Sequence, residues 1–127
     1  MENLKAGISK KLEIVVKPED TAVKYGSGMI EVFASPAMIA LMEKTALEAV
    51  APFIPEGKST VGSEVNVKHV KPTPVGGSVI CEAILEEMEG KKLVFRVEAW
   101  DKEGLIGKGT HSRYIVNTEK FMAQVNK

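Results

Sequence analysis

One long apolar helix constrains this chain more than any other feature. The stretch FASPAMIALMEKTALEAVAPFIP, residues 33 to 55, opens with Ser35 followed by Pro36. That pair predicts an N-cap and a first helical residue, because a serine oxygen accepts an orphan backbone N–H and proline needs no donor there. Pro52 and Pro55 stop the helix at about Ala51, which gives it on the order of 15 residues and about 22 Å of length. No other segment supports a long helix. Its first half is apolar almost all round, so a sheet must curl about it or a partner must cover it.

Glu43 interrupts that apolar surface. Its neighbours three and four residues away are Ile39, Ala40, Ala46 and Leu47, so the carboxylate projects from the face expected to be buried. A lone buried carboxylate costs several kcal/mol unless it is protonated or paired. Either backbone or a core histidine satisfies it as a structural group, or it is kept there for chemistry, and a partner elsewhere in the chain becomes the thing to find.

The rest of the chain reads as strands. KLEIVV, residues 11 to 16, has strand composition, and Pro18 closes it. YGSGM, residues 25 to 29, carries two glycines just before the helix and reads as a plain connection or as a lid. After the helix, TVGSEVNVKHV places Val61, Ser63, Val65, Val67 and His69 on one strand face and Gly62, Glu64, Asn66 and Lys68 on the other. His69 is thereby expected to face inward. KPTPVGG breaks the run, and SVICEAILEEM then puts Val79, Cys81, Ala83 and Leu85 on one face. EGK turns the chain into KLVFRVEAW, where Leu93, Phe95, Val97 and Ala99 alternate with Arg96 and Glu98. DKEG turns again into residues 105 to 117, where Gly107 and Gly109 suggest a bulge or a close approach. TEKFMAQVNK reads as a short helical end. One strand, one helix and four strands in an antiparallel meander predict an α+β domain over residues 1 to 127, with the helix on one face of the sheet.

Composition narrows the function. Seventeen Lys and Arg balance seventeen Asp and Glu without a basic run, which argues against nucleic acid or an acidic membrane surface as partner. The longest uninterrupted apolar run, Ala37 to Met42, is far too short to span a bilayer, and the first residues lack a signal-peptide core. The lone Cys81 has no partner for an internal disulfide and reads as a buried structural thiol in a reducing compartment. A soluble, cytoplasmic protein is the expectation. The two histidines, His69 and His111, have no cysteine or carboxylate cluster at ligand spacing, so no metal is expected. The Rossmann and Walker patterns and the GxSxG elbow are missing too, and no cofactor is expected.

Glu43, His69 and Ser35 remain. A carboxylate and an imidazole within hydrogen-bond reach stabilise each other's charged forms and together activate water or hold a nucleophile. Ser35 is assigned its capping role, with any catalytic role additional to it.

FASPAMIALMEKTA, TVGSEVNVKHVKPTPVGGSV and LVFRVEAWDKEGLIGKGTHSRYIV together resemble the hotdog-fold thioesterases of the fluoroacetyl-CoA thioesterase-like family, from about Ile14 to Phe121. The resemblance implies a hotdog fold, a curved antiparallel sheet wrapped around one long central helix. It also implies a homodimer with active sites at the interface, and leaves dimer and tetramer as alternatives. Carried onto the matching motifs, the catalytic residues are Ser35, Glu43 and His69, and the substrate is an acyl-CoA. Glu43 is then a nucleophile or a general base, and Gly62 a contributor to the oxyanion site. Phe33 and Met29 are expected to bind substrate, and Arg113 either touches the site or the CoA phosphates or is a surface arginine. Gly26 and Met29 stand where the family's founding enzyme carries bulky aromatic lid residues, and Ser35 stands in place of its threonine. These departures favour a general hydrolase of short or medium acyl-CoA thioesters over fluoroacetyl-CoA specificity. A hydratase is disfavoured because no Asp occurs between residues 21 and 100. A non-catalytic acyl-CoA binding module is the alternative.

Overall fold

The structure is a computed structural model that describes residues 3–127. Strand β1 (Ser9–Val15) leads through a short helix α1 (Ala22–Tyr25) to the long helix α2 (Ser35–Val50). Four strands follow, β2 (Lys58–His69), β3 (Ser78–Glu89), β4 (Lys92–Asp101) and β5 (Gly104–Asn117), before a C-terminal helix α3 (Thr118–Val125). The strands form one five-stranded antiparallel sheet in the order β1-β3-β4-β5-β2, and α2 packs against its inner face.

The alternation in the sequence translates directly into burial. Val79, Cys81, Ala83 and Leu85 of β3 and Leu93, Phe95, Val97 and Ala99 of β4 are all completely buried, against Met38, Met42, Ala46 and Val50 of α2. A side chain at Gly107 of β5 would collide with the Met38 thioether, so the close approach suggested by that glycine is the seat of the helix on the sheet. Burial pushes the Cys81 thiol up to about 11, against an opposing hydrogen bond from Thr45, and leaves it an unreactive core group. Among the described residues no helix is long and apolar enough to cross a membrane.

The expected four-strand meander is corrected. β3, β4 and β5 form one, but β2 pairs with β5 at the far edge and does not adjoin β3, whose other neighbour is β1. Residues 70 to 77 make the crossing over the N-terminal end of α2. Val70 N–H bonds Ile106 O, the Thr73 carbonyl accepts from Phe33 N–H, and Gly76 N–H bonds Val16 O. With Pro72 and Pro74 removing two donors, this stretch cannot turn tightly into a hairpin and is held by isolated anchors instead. Thr73 Oγ1 (2.9 Å) and Lys71 Nζ (2.6 Å) both donate to Asp101 at the end of β4. Burial alone would raise the Asp101 carboxyl, but these partners and the Glu103 N–H outweigh it and hold it below the usual carboxylate range.

The face assignment in β2 also changes. A bulge between Gly62 and Glu64 shifts the register against β5 and puts Ser63 out of phase. Gly62, together with the buried Thr60, therefore faces inward, not Val61 and Ser63; beyond the bulge Val67 and His69 face inward as expected. Gly62 and His69 are seven residues apart, a spacing that puts them on opposite faces of an unbroken strand. The bulge is what brings both to the side of the helix.

Candidate active site

At its N-terminal end α2 meets the end of β2. The N-cap residue is Ala34, with extended backbone and no side-chain cap, and Ser35 occupies the first helical position. The expected serine cap is thus corrected: Ser35 Oγ turns away from its own helix and lies 2.8 Å from His69 Nδ1. The first-turn N–H groups are left without a side-chain acceptor, and they carry the positive end of the helix dipole. His69 Nε2 is buried without a hydrogen-bond partner among the described residues. Burial lowers the His69 pKa from its ordinary value, and the nearby Lys71 backbone only partly opposes this, so the ring is neutral at neutral pH.

An open pocket of about 340 Å³ surrounds this pair, lined by Ala22, Val32, Phe33, Val70 and Pro72 with Ser27 and Lys71 at its polar side. Phe33 is buried, lines this pocket and meets the His69 ring edge-on with centroids 6.3 Å apart. Met29 is different. Its side chain is 96% exposed and does not line this pocket, because the turn after Gly26, whose φ is 72°, directs residues 28 to 31 into solvent.

Two turns further along α2 the chemistry is charged. Glu43 is half-exposed, not buried as its apolar neighbours suggested, and its partner is Arg113: Oε2 lies 3.8 Å from Arg113 Nη1. Among the described residues no ion pair or hydrogen bond joins Glu43 to His69. Arg113 is buried, which decides against a surface arginine. Its Nε donates to Thr60 Oγ1 (2.8 Å), its Nη2 to Thr60 O (2.8 Å) and its Nη1 to His111 Nε2 (3.1 Å). Gly62 completes the cluster, since a Cβ there would lie 2.7 Å from Glu43 Oε2 and 3.4 Å from Arg113 Nη1. The missing side chain makes room for the carboxylate itself.

His111 belongs to no group of three metal-binding side chains among the described residues. Its place two residues before Arg113 on one strand puts both on the same face, and that spacing was the available signal. Thr60 carried none, because its role depends on the bulge.

The two clusters sit at opposite ends of one helix segment. Ser35 and Glu43 are eight residues apart, a rise of about 12 Å along α2.

Comparison with known proteins agrees with this architecture. Residues 16–119 match the family of fluoroacetyl-CoA-specific thioesterases. The fluoroacetyl-CoA thioesterase of Streptantibioticus cattleyicolor is 40% identical over 97 residues, which cover 76% of this chain and 70% of that protein. A solved structure of a fluoroacetyl-CoA thioesterase variant in complex with acetyl-CoA superposes with a TM-score of 0.92 at 36% identity, covering 97% of each chain. A Thermus thermophilus hypothetical protein described as a thioesterase superfamily member gives a TM-score of 0.91 at 30% identity, covering 99% of this chain and 93% of that one. With the wrapped helix, the serine and histidine at its first turn and the carboxylate two turns on, the chain belongs to the fluoroacetyl-CoA-specific thioesterase family of hotdog-fold thioester hydrolases.

Proposed function

We propose that the protein is a cytoplasmic hydrolase of short or medium acyl-CoA thioesters that works as a homodimer, each active site drawing on two subunits. The observation that carries this reading is the hydrogen-bonded Ser35–His69 pair at the uncapped start of α2, in a pocket walled by Phe33, Val32 and Val70. A volume of about 340 Å³ is at the small end of ligand pockets and suits a short acyl group. The comparison proteins add support: one was solved with acetyl-CoA and another with fluoroacetate and CoA.

The mechanism follows from the two clusters. Thioester hydrolysis builds negative charge on the carbonyl oxygen and needs a nucleophile at the carbonyl carbon. The free N–H groups of the first turn of α2 suit the oxygen, as donors already in place at the positive end of a helix. Ser35 Oγ, whose geometry is set by His69, orients the thioester beside them. Glu43 is the carboxylate that attacks the carbonyl carbon, forming an acyl-Glu43 anhydride that water then cleaves, or takes the proton from a water that attacks directly; in both routes the C–S bond breaks and CoA leaves as the thiol, and only the first passes through a covalent acyl-Glu43 intermediate. Arg113, 3.8 Å from its Oε2, aims that carboxylate.

With Ser35 and Glu43 of one chain separated by a rise of about 12 Å along α2, the working site pairs Ser35 and His69 of one protomer with the partner subunit's Glu43. The edge strand β2, paired on one side only, is a ready surface for such an antiparallel union. The lid region lacks aromatic side chains between Gly26 and Val32 and its Met29 points into solvent, which favours a broad acyl range over selectivity for fluoroacetyl-CoA.

The test is release of CoA thiol from acetyl- through decanoyl-CoA, phenylacetyl-CoA and fluoroacetyl-CoA. Turnover is expected on the shorter chains; binding of CoA without turnover on any member would show a binding module instead. Mixing a Ser35→Ala/His69→Ala chain with a Glu43→Gln chain, both inactive, is expected to recover up to about a quarter of the wild-type rate, the share of intact sites in a randomly mixed two-fold dimer. No recovery after confirmed subunit exchange would place each site within one protomer.

A further inference from the structure

His111 is the one buried histidine whose two ring nitrogens are both engaged. Nδ1 lies 2.8 Å from the Glu64 carbonyl, and a carbonyl only accepts, so Nδ1 carries the proton. Nε2 lies 3.1 Å from Arg113 Nη1, and a guanidinium only donates, so Nε2 carries the lone pair. The surroundings thus admit one neutral tautomer. The ring lies against Phe95 of β4 at 6.3 Å between centroids, which fixes its plane. Arg113 itself is held at Nε and Nη2 by Thr60. The third contact, from His111, occupies Nη1, the same nitrogen that faces Glu43.

We propose that His111 is a positioning residue for this site: the lone pair that the Glu64 carbonyl leaves on its Nε2 holds Arg113 Nη1, and so sets where the Glu43 carboxylate stands. It touches no substrate and acts through Arg113. Protonation reverses the effect, because an imidazolium has no lone pair and brings a second cation against the guanidinium. The charged groups facing His111 are Arg113 on its own strand and Glu43 on α2; β2 offers it the Glu64 carbonyl and β4 the Phe95 ring. Burial, opposed by the Glu64 hydrogen bond and reinforced by Arg113, keeps its pKa below the ordinary histidine value, so the neutral form is the resting one.

The effect of His111 on turnover rests on the thioesterase reading, but its tautomer and its hold on Arg113 do not. The experiment therefore has two arms on the full-length protein. Nitrogen-15 NMR is expected to show the His111 ring as the Nδ1–H tautomer at pH 7.5, a value chosen to lie about one unit above the ordinary histidine pKa, and a sharp, slowly exchanging Arg113 guanidinium signal. That signal should broaden in His111→Phe, which keeps a ring against Phe95 but removes the acceptor, and return in His111→Gln, whose amide oxygen restores an acceptor. In the activity arm His111→Phe should lower kcat about 10- to 100-fold, the scale of one charge-assisted hydrogen bond, with little change in KM, and His111→Gln should recover most of it. An Nε2–H tautomer, or an Arg113 signal unchanged in His111→Phe, overturns the proposal. If every acyl-CoA proves inert, the functional reading fails while the NMR arm still decides the role of His111; if His111→Phe does not fold, the wild-type tautomer and His111→Gln decide it.

Discussion

The first turn of helix α2 and its middle present different chemistry. At its first turn, Ser35 and His69 form a lean, neutral pair beside an open pocket, with uncapped N–H groups at hand. Two turns on, Glu43 stands against a buried arginine with every nitrogen of its fork committed, to Thr60, to His111 and toward Glu43. A neutral, dipolar end is what a developing oxyanion requires, since a resident anion would repel it. A carboxylate is positioned by a fixed cation instead, and a buried guanidinium is tolerable only when its donors are satisfied. One helix thus presents an electropositive end and an anionic flank, and the dimer proposed above brings one protomer's end to the other's flank.

Damage to the charged flank is expected to weigh most. Glu43→Gln keeps the shape and removes the charge, and kcat should fall at least about 10²-fold, the lower range for proton-transfer or nucleophilic catalysis. Steady-state kinetics on acetyl-CoA would read this, and a loss under tenfold would exclude a catalytic Glu43. His69→Asn at the lean end should cost about as much if the pair acts as a unit, with melting temperature nearly unchanged because the side chain fills a pocket wall and no charge is stranded. A large loss of stability with intact turnover would make His69 a structural residue and erase the contrast.

Gly62→Ala sharpens the comparison at an intermediate level. The added methyl would sit 2.7 Å from Glu43 Oε2 and must push the carboxylate off Arg113, so about a tenfold fall in kcat is expected, by analogy with small misplacements of catalytic groups. The Ser35–His69 hydrogen bond should be untouched, which the His69 ring shifts would reveal; a fall in kcat accompanied by altered His69 shifts would mean that the two ends are coupled within a chain.

The pH dependence of stability separates the ends again. Burial lowers the folded-state pKa of both His69 and His111. The unfolded chain then binds more protons below about pH 6.5, so stability is level above that value and falls as pH drops from it toward the folded pKa values. Thermal melts from pH 8 to pH 5 should show this fall, and His111→Gln should remove its own share of it. Stability that rises on acidification would contradict a neutral resting state for both rings. The smallest effect is expected at Met29→Ala: a side chain 96% exposed should shift stability by less than about 0.5 kcal/mol and turnover on acetyl-CoA hardly at all. A strong effect confined to longer acyl chains would show that the turn folds over the substrate.

The sequence by itself determined the long helix, the five strands and the inner faces of β3 and β4. Period-two alternation at residues 79 to 85 and 93 to 99 is a local signal, and every residue it placed on the inner face is buried; the helix face around Glu43 is not, with Ile39 and Leu47 half-buried and Ala40 exposed. Ser35, Glu43 and His69 were legible as chemistry because a polar group inside an apolar pattern stands out. The tertiary structure alone decided their partners. A β-bulge is an insertion that periodicity cannot see, yet it turns Gly62 and Thr60 inward and gives Arg113 its site. Whether Ser35 caps its helix or bonds His69 depends on a strand that arrives from far along the chain. Which edge β2 occupies depends on the competition of strands for pairing, not on their order. Side-chain pairing across a fold is a property of distances between elements, and composition and spacing along one element do not contain those distances.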